Sequence, residues 1–220
     1  VIHGDTGVDE TLRITRATSE KLHRFAFRLT EKRKSRGKPG RLTCVDKANV
    51  FTSMAFFRSI FDEVAAGFPG VAHDYCYVDA MALELVRRPW EYDVMVTENM
   101  FGDILSDLTA GLVGGMGIAS CAEIGDHHGL FQPAHGSAPD IMGQDRANPL
   151  ATILSGALLL EYLAERLGDN RYADAAMVIE AAVEQGFTDG ELRPMEFGGT
   201  MGTDAMTRAV LNRTGQKGGR

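Results

Sequence analysis

Three times between Arg41 and Leu108 a short apolar run gives way at once to a segment with helical spacing. Arg41–Val45, Asp74–Val78 and Tyr92–Thr97 are too short for helices, are rich in strand formers and are bounded by turn residues. Helical spacing follows each: from about Thr52 to Ala66, stopped by Gly67-Phe68-Pro69-Gly70; from Asp79 as N-cap to the residues before Pro89; and from Asn99 onward. Strands alternating with helices predict α/β layers. Val1–Gly7 reads as a loop, and about Glu10 to Lys34 as a helix ended by Gly37-Lys38-Pro39-Gly40. After Gly111 the character changes. Gly111, Gly114, Gly115 and Gly117 make a turn without the G-x-G-x-x-G pattern, so no Rossmann fingerprint is present. A loop from Ile124 to Pro149 follows. Then come helices at about Pro149–Leu167 and Ala173–Gln185, a Gly-rich return at Gly198-Gly199-Thr200, and a last helix over Gly202–Leu211. Composition alone suggests a boundary near residue 113.

The 220 residues suffice for one large domain or two small ones. A net charge of −7 argues against nucleic-acid and anionic-membrane partners. The basic cluster Lys32–Lys38 sits at a helix end, where cations favour the dipole. Three cysteines without Cys-x-x-Cys spacing indicate neither a disulfide framework nor zinc, and a reducing, cytoplasmic compartment fits. The longest apolar run, Ile153–Leu160, is too short to span a bilayer. The chain opens on Val1 rather than Met, and a fragment of a longer protein is the expectation.

Asn99-Met-Phe-Gly-Asp103-Ile-Leu-Ser-Asp107-Leu108 carries the strongest chemical signal. Asp103 and Asp107 share one helical face, while Ile104, Leu105 and Leu108 supply an apolar stripe. Like charges at that spacing repel unless a cation lies between them, which suggests Mg²⁺ or Mn²⁺. Ordinary solvated positions are the alternative. Lys47 follows directly after a buried strand, where side chains reach sites, although a solvated lysine reads as well. Small residues in Gln132-Pro-Ala-His135-Gly-Ser-Ala-Pro-Asp140 allow backbone N–H groups to approach a ligand; a surface loop is the alternative. Asn148-Pro149 reads as an N-cap followed by Pro at the first helical position. His127-His128 hints at zinc but lacks partners at ligand spacing.

Thr43-Cys-Val-Asp-Lys47-Ala-Asn49-Val, Tyr77-Val-Asp79-Ala, the Asn99–Asp107 stretch, His135-Gly-Ser-Ala-Pro-Asp140-Ile and Ala147-Asn148-Pro149 together resemble the metal-dependent β-decarboxylating dehydrogenases. These act on isopropylmalate, isocitrate, homoisocitrate or tartrate. The resemblance runs from the first helix onward and is most like the isopropylmalate enzymes. It implies the family's two-domain α/β fold with a central cleft. Residues 1–113 would form most of a small dimerising domain that holds substrate and metal, and 114–220 the C-terminal half of a large NAD-binding domain. The family's N-terminal part would carry the first strands of the large domain, the substrate-binding arginines and a catalytic tyrosine.

The resemblance also assigns roles. The substrate would be a small 2-hydroxy acid with a β-carboxylate, oxidised by NAD and decarboxylated with Mg²⁺ or Mn²⁺ as Lewis acid and template. Metal ligands would be Asp103 and Asp107 from one subunit and Asp79 from its partner, so that a homodimer shares the site. Lys47 would be the acid/base group, the nearby cation favouring the neutral amine that proton abstraction needs. His135, Gly136, Ser137, Ala138 and Ile141 would line the dinucleotide, Asn148 would meet adenine, and Asn49 would lie near the nicotinamide. Asp140 would accept from ribose hydroxyls and repel a 2′-phosphate, favouring NAD over NADP. Gln132 departs from the family's usual Glu. The fragment alone would be inactive. Two other readings stand beside this one: a catalytically silent regulatory subunit, and a binding protein with a structural Mg²⁺ or Ca²⁺ site. NAD titration followed by Trp90 fluorescence would separate them.

Overall fold

Leu42, Cys44 and Val45 are wholly buried, because β1 (Arg41–Asp46) is the centre of a three-stranded parallel sheet in the order β2–β1–β3. The computed structural model describes residues 6–217. β2 (Ala72–Tyr77) runs in register with β1 from Arg41↔Ala72 to Asp46↔Tyr77, and β3 (Val94–Val96) pairs along the other edge from Leu42↔Val94 to Cys44↔Val96.

Strand alternation sorts the side chains of β1 onto two faces. Leu42 and Cys44 pack with Ala26 and Phe27 of α1 (Arg16–Ser35) and with Phe57, Ile60 and Phe61 of α2 (Thr52–Ala65). Val45 turns the other way and meets Met81 and Leu85 of α3 (Val78–Arg87) and Leu105 of α4 (Asn99–Leu112). The buried Glu98 caps α4 by accepting the Phe101 N–H at 2.8 Å. The basic cluster ends α1 as expected, and two of its members are tied inward. Arg33 Nε donates to Asp93 at 2.6 Å and Lys34 Nζ to the Gly70 carbonyl at 2.8 Å. His23 lies fully buried on α1 between Phe57 and Phe61, its Nε2 donating to the Phe57 carbonyl at 3.1 Å. Burial lowers its pKa to about 4.

The chain divides into two compact units, Val1–Leu108 and Thr109–Arg220, with the division falling inside α4. The second unit opens with an antiparallel hairpin, β4 (Ser120–Ile124) and β5 (Gly129–Pro133), in register from Ser120↔Pro133 to Ile124↔Gly129. α5 (Leu150–Leu167) packs on the hairpin, where Ser155 Oγ donates to the Gln132 carbonyl at 2.7 Å and Tyr162 meets Phe131. α6 (Asn170–Thr188) and α7 (Thr203–Lys217) complete a core of Leu150, Ala182, Val183, Leu192, Met206 and Val210. No described helix is long and apolar enough to cross a membrane.

Several boundaries differ from expectation. α1 starts at Arg16 rather than near Glu10, because Thr15 is held extended at φ −113° and ψ 144°. Residues 120–133, expected to include much of a loop, form the β4–β5 hairpin. Asp79 is not the N-cap of α3: Tyr77 occupies that place and Asp79 lies in the first turn, where a carboxylate still favours the helix dipole. Pro149 is the N-cap of α5 rather than its first residue, yet Asn148 still caps the helix by accepting the Leu150 N–H at 3.2 Å. The loop expected over residues 1–7 falls almost wholly outside the described residues.

Candidate active site

The parallel sheet delivers three connections to its carboxyl edge, the edge at which open α/β sheets bind ligands. β1 leads into Lys47, β2 into Asp79, and β3 into the start of α4 with Asp103 one turn further on. Lys47 Nζ donates to Asp79 Oδ1 at 2.6 Å and stands 5.6 Å from the centre of the Tyr77 ring. The Lys47 bond, followed by backbone N–H groups at the start of α3, holds the exposed Asp79 carboxyl below the usual carboxylate range. Behind Lys47, Asp46 is wholly buried. It accepts the Ala48 N–H at 2.8 Å and both arms of Arg58, which fixes the turn that carries the exposed Asn49.

Asp103 and Asp107 stand exposed on α4. Asp103 accepts a long bond from Asn99 Nδ2 at 3.4 Å, and neither carboxylate has a cationic side chain paired with it among the described residues. Their oxygens suit a hard divalent cation in type. Asp79 is engaged by Lys47, and among the described residues no cluster of three or more His, Cys, Asp or Glu side chains could hold a metal. Asp103 and Asp107 thus stand as a pair of carboxylates and not as part of a larger cluster among the described residues. His127 and His128, at the exposed hairpin tip, do not join any such cluster.

In the second unit a cavity of about 580 Å³ gathers His135, Gly136, Ser137, Ala138, Ile141 and Asn148. A Cβ built on Gly136 meets nothing within 4 Å, so this part of the wall is open to a ligand. Ala138 is left-handed at φ 41°, turning the chain into the 3₁₀ turn Pro139–Ile141. His135 Nδ1 lies 2.8 Å from the Gly136 carbonyl, which only accepts, so Nδ1 carries the proton and Nε2 is left as an acceptor. The volume and the mixture of backbone and small polar groups fit a nucleotide. Asp140 is exposed beside the cavity without lining it, its carbonyl accepting from Gln144 Nε2 at 2.8 Å. Asn49 belongs to the other unit. Trp90 does too, at 74% exposure.

Other cavity residues were not anticipated. Gly117, Asp145, Arg146, Glu196 and Thr203 line it as well. The glycine spacing marks only a turn, and Glu196 and Thr203 lie far along the chain from the motif. Gln132 donates to Glu123 Oε1 at 3.0 Å across the hairpin; a glutamate in its place would face that carboxylate as a like charge.

A sequence model described as isocitrate/isopropylmalate dehydrogenase matches residues 2–210. The 3-isopropylmalate/3-methylmalate dehydrogenase of Methanocaldococcus jannaschii is 44% identical over 95% of this chain and 61% of its own length. The crystal structure of isocitrate dehydrogenase from Methylococcus capsulatus superposes with a TM-score of 0.82 at 38% identity, covering 94% of this chain and 58% of that one. The apo β-decarboxylating dehydrogenase of Thermococcus kodakarensis gives a TM-score of 0.82 at 40% identity, covering 98% and 60%. The chain thus spans 58–61% of the lengths of these three proteins. It has their mixed α/β fold, and it belongs to the isocitrate/isopropylmalate dehydrogenase family.

Proposed function

We propose that the protein carrying this chain oxidises and decarboxylates a 2-hydroxy acid with a β-carboxylate, using NAD and either Mg²⁺ or Mn²⁺. A 3-isopropylmalate-like acid is the substrate. The observation that carries this reading is the Lys47–Asp79 pair at the carboxyl edge of the parallel sheet, on the same sheet that leads into Asp103 and Asp107. The relatives' names support the reaction class, and the cavity around Gly136 and Asn148 supports a nucleotide.

Lys47 is the proton-transfer group. As the neutral amine it would take the proton of the substrate hydroxyl as hydride leaves C2. After CO₂ departs from the oxo acid with the electron pair of its bond left on the β carbon, that carbon would take up a proton, which the Lys47 ammonium can return. Asp79, kept ionised by its surroundings, orients the lysine in the state described. Asp103 and Asp107 of one subunit, with Asp79 of the second, would hold the divalent cation, and His135–Ala138 with Asn148 would hold the dinucleotide. When bound, these two groups supply Lewis-acid polarisation of substrate oxygens and acceptance of the hydride.

Two apolar stripes support a homodimer. Leu83 and Val86 on α3 are 55% and 61% exposed, and Met100 and Ile104 on α4 are 55% and 60% exposed. We read the first unit as most of the dimerising domain and the second as part of the NAD domain.

The test is an assay of the full-length protein with isopropylmalate, isocitrate, homoisocitrate, tartrate and malate, each with NAD and Mn²⁺. NADH formation fastest with isopropylmalate is expected. Failure to form NADH with any of them overturns the reading.

A further inference from the structure

One carboxylate joins two walls of the nucleotide cavity. Glu196 lies on the 3₁₀ turn Met195–Phe197. Its Oε1 accepts the Gly117 N–H at 3.0 Å, and its Oε2 accepts a hydrogen from Asn148 Nδ2 at 3.0 Å. This approach requires glycine opposite: a Cβ at Gly115 or Gly117 would collide with the carboxylate. On its other side, Asn148 Oδ1 accepts the Leu150 N–H at 3.2 Å.

Together these bonds fix which way round the Asn148 amide sits. An ionised carboxylate only accepts, so Nδ2 must face Glu196; a backbone N–H only donates, so Oδ1 must face Leu150. Turning the amide over would set oxygen against carboxylate and N–H against N–H. One Nδ2 hydrogen and one Oδ1 lone pair remain for a ligand. A donor and acceptor side by side complement an adenine edge, where the amino group donates beside a ring nitrogen that accepts. Hypoxanthine replaces that amino group with an oxygen. Its edges then offer either two acceptors or a donor and acceptor in the reverse order, which only a turned amide would pair.

We propose that Glu196 is a positioning residue which, through Asn148, makes this cavity select adenine over hypoxanthine. The proposal rests on the reading of the cavity as the seat of the adenosine half of NAD.

Calorimetric titration of the full-length protein with NAD and with deamino-NAD, its hypoxanthine analogue, tests it. The wild type should bind NAD at least about fivefold more tightly, the low end of what one bidentate base contact discriminates. Glu196→Gln is isosteric but has one oxygen for two donors, and it should bring the ratio near one, as should Asn148→Ala. An absent preference in the wild type, or a ratio unchanged in Glu196→Gln but lost in Asn148→Ala, overturns the positioning role and leaves the cavity reading standing. Unchanged NAD affinity in Asn148→Ala overturns the cavity reading itself. Should Glu196→Gln not fold, NMR of the wild type decides. One Asn148 side-chain proton should be shifted downfield and protected from solvent before nucleotide is added, and AMP but not IMP should protect the second. Two freely exchanging protons in the nucleotide-free protein would overturn the proposal.

Discussion

Arg58 grips both carboxylate oxygens of Asp46, the residue directly before Lys47, with Nε and Nη2 each at 2.7 Å. Asp46 is wholly buried, whereas the Arg58 side chain is 24% exposed. Arg58→Ala would leave a buried carboxylate with little beyond the Ala48 N–H. We expect a loss of roughly 3 kcal/mol in denaturant unfolding, the usual cost of breaking a buried pair from one side. Arg58→Lys should recover only part of it, since an ammonium cannot span both oxygens. Equal stability of Arg58→Ala and wild type would show that the pair does not anchor this turn.

Acid should act through His23. Its Nδ1 is buried without a partner, so the imidazolium would carry an unsatisfied N–H. With a folded pKa of about 4 against an ordinary 6.5, the unfolded chain binds more protons between those values. Stability therefore rises with pH across this window and is lost as pH falls from 6.5 toward 4. Allowing for relaxation, the loss amounts to roughly 2–3 kcal/mol. Unfolding measured at pH 7, 5.5 and 4 should show a flatter dependence in His23→Gln; parallel curves would contradict the assignment.

Asp103→Asn removes one of two exposed carboxylates from α4 without touching the core. We expect Mn²⁺ affinity of the full-length protein to fall by at least about tenfold, the smaller end of what even outer-shell changes cost a metal site. Turnover should fall with it and the melting temperature should hold. Unchanged Mn²⁺ binding would remove Asp103 from the site.

Cofactor choice should rest on Asp140. Charges about 5 Å apart at an effective dielectric near 20 repel by roughly 3 kcal/mol. Even with screening, an exposed carboxylate beside the ribose should favour NAD by at least about tenfold, or about 1.4 kcal/mol. Asp140→Lys with Ile141→Tyr should weaken NAD and improve NADP, read as kcat/KM for each cofactor. A wild type that already prefers NADP would show that this loop is wrongly assigned; Arg146, unlike Asp140, lines the cavity and could meet a phosphate.

The first unit was legible because its strands and helices are local. Leu42, Cys44 and Val45 declare a buried strand, and Gly67–Gly70 and Pro89 mark the ends of helices. The β4–β5 hairpin was not, since Ser-Cys-Ala-Glu-Ile and Gly-Leu-Phe-Gln-Pro show no clean alternation and owe their order to α5. Asp79 was misplaced as a cap because Asp is favoured there on average, while here Tyr77 holds the extended conformation that opens α3. Lys47 and Asp79 could be suspected singly, but their contact depends on strand register, which spacing does not reveal. Glu196 carried no local signal at all. Its meaning lies in partners 48 and 79 residues away.

That separation has a consequence during synthesis. Glu196 leaves the ribosome 48 residues after Asn148, a delay of about 2–10 s at ~5–20 residues per second. Throughout that interval the glycine turn and Asn148 exist without the carboxylate that joins them. The bond that fixes the Asn148 amide therefore forms only after the later segment has docked, so any base preference that depends on it should appear after translation rather than while the chain emerges.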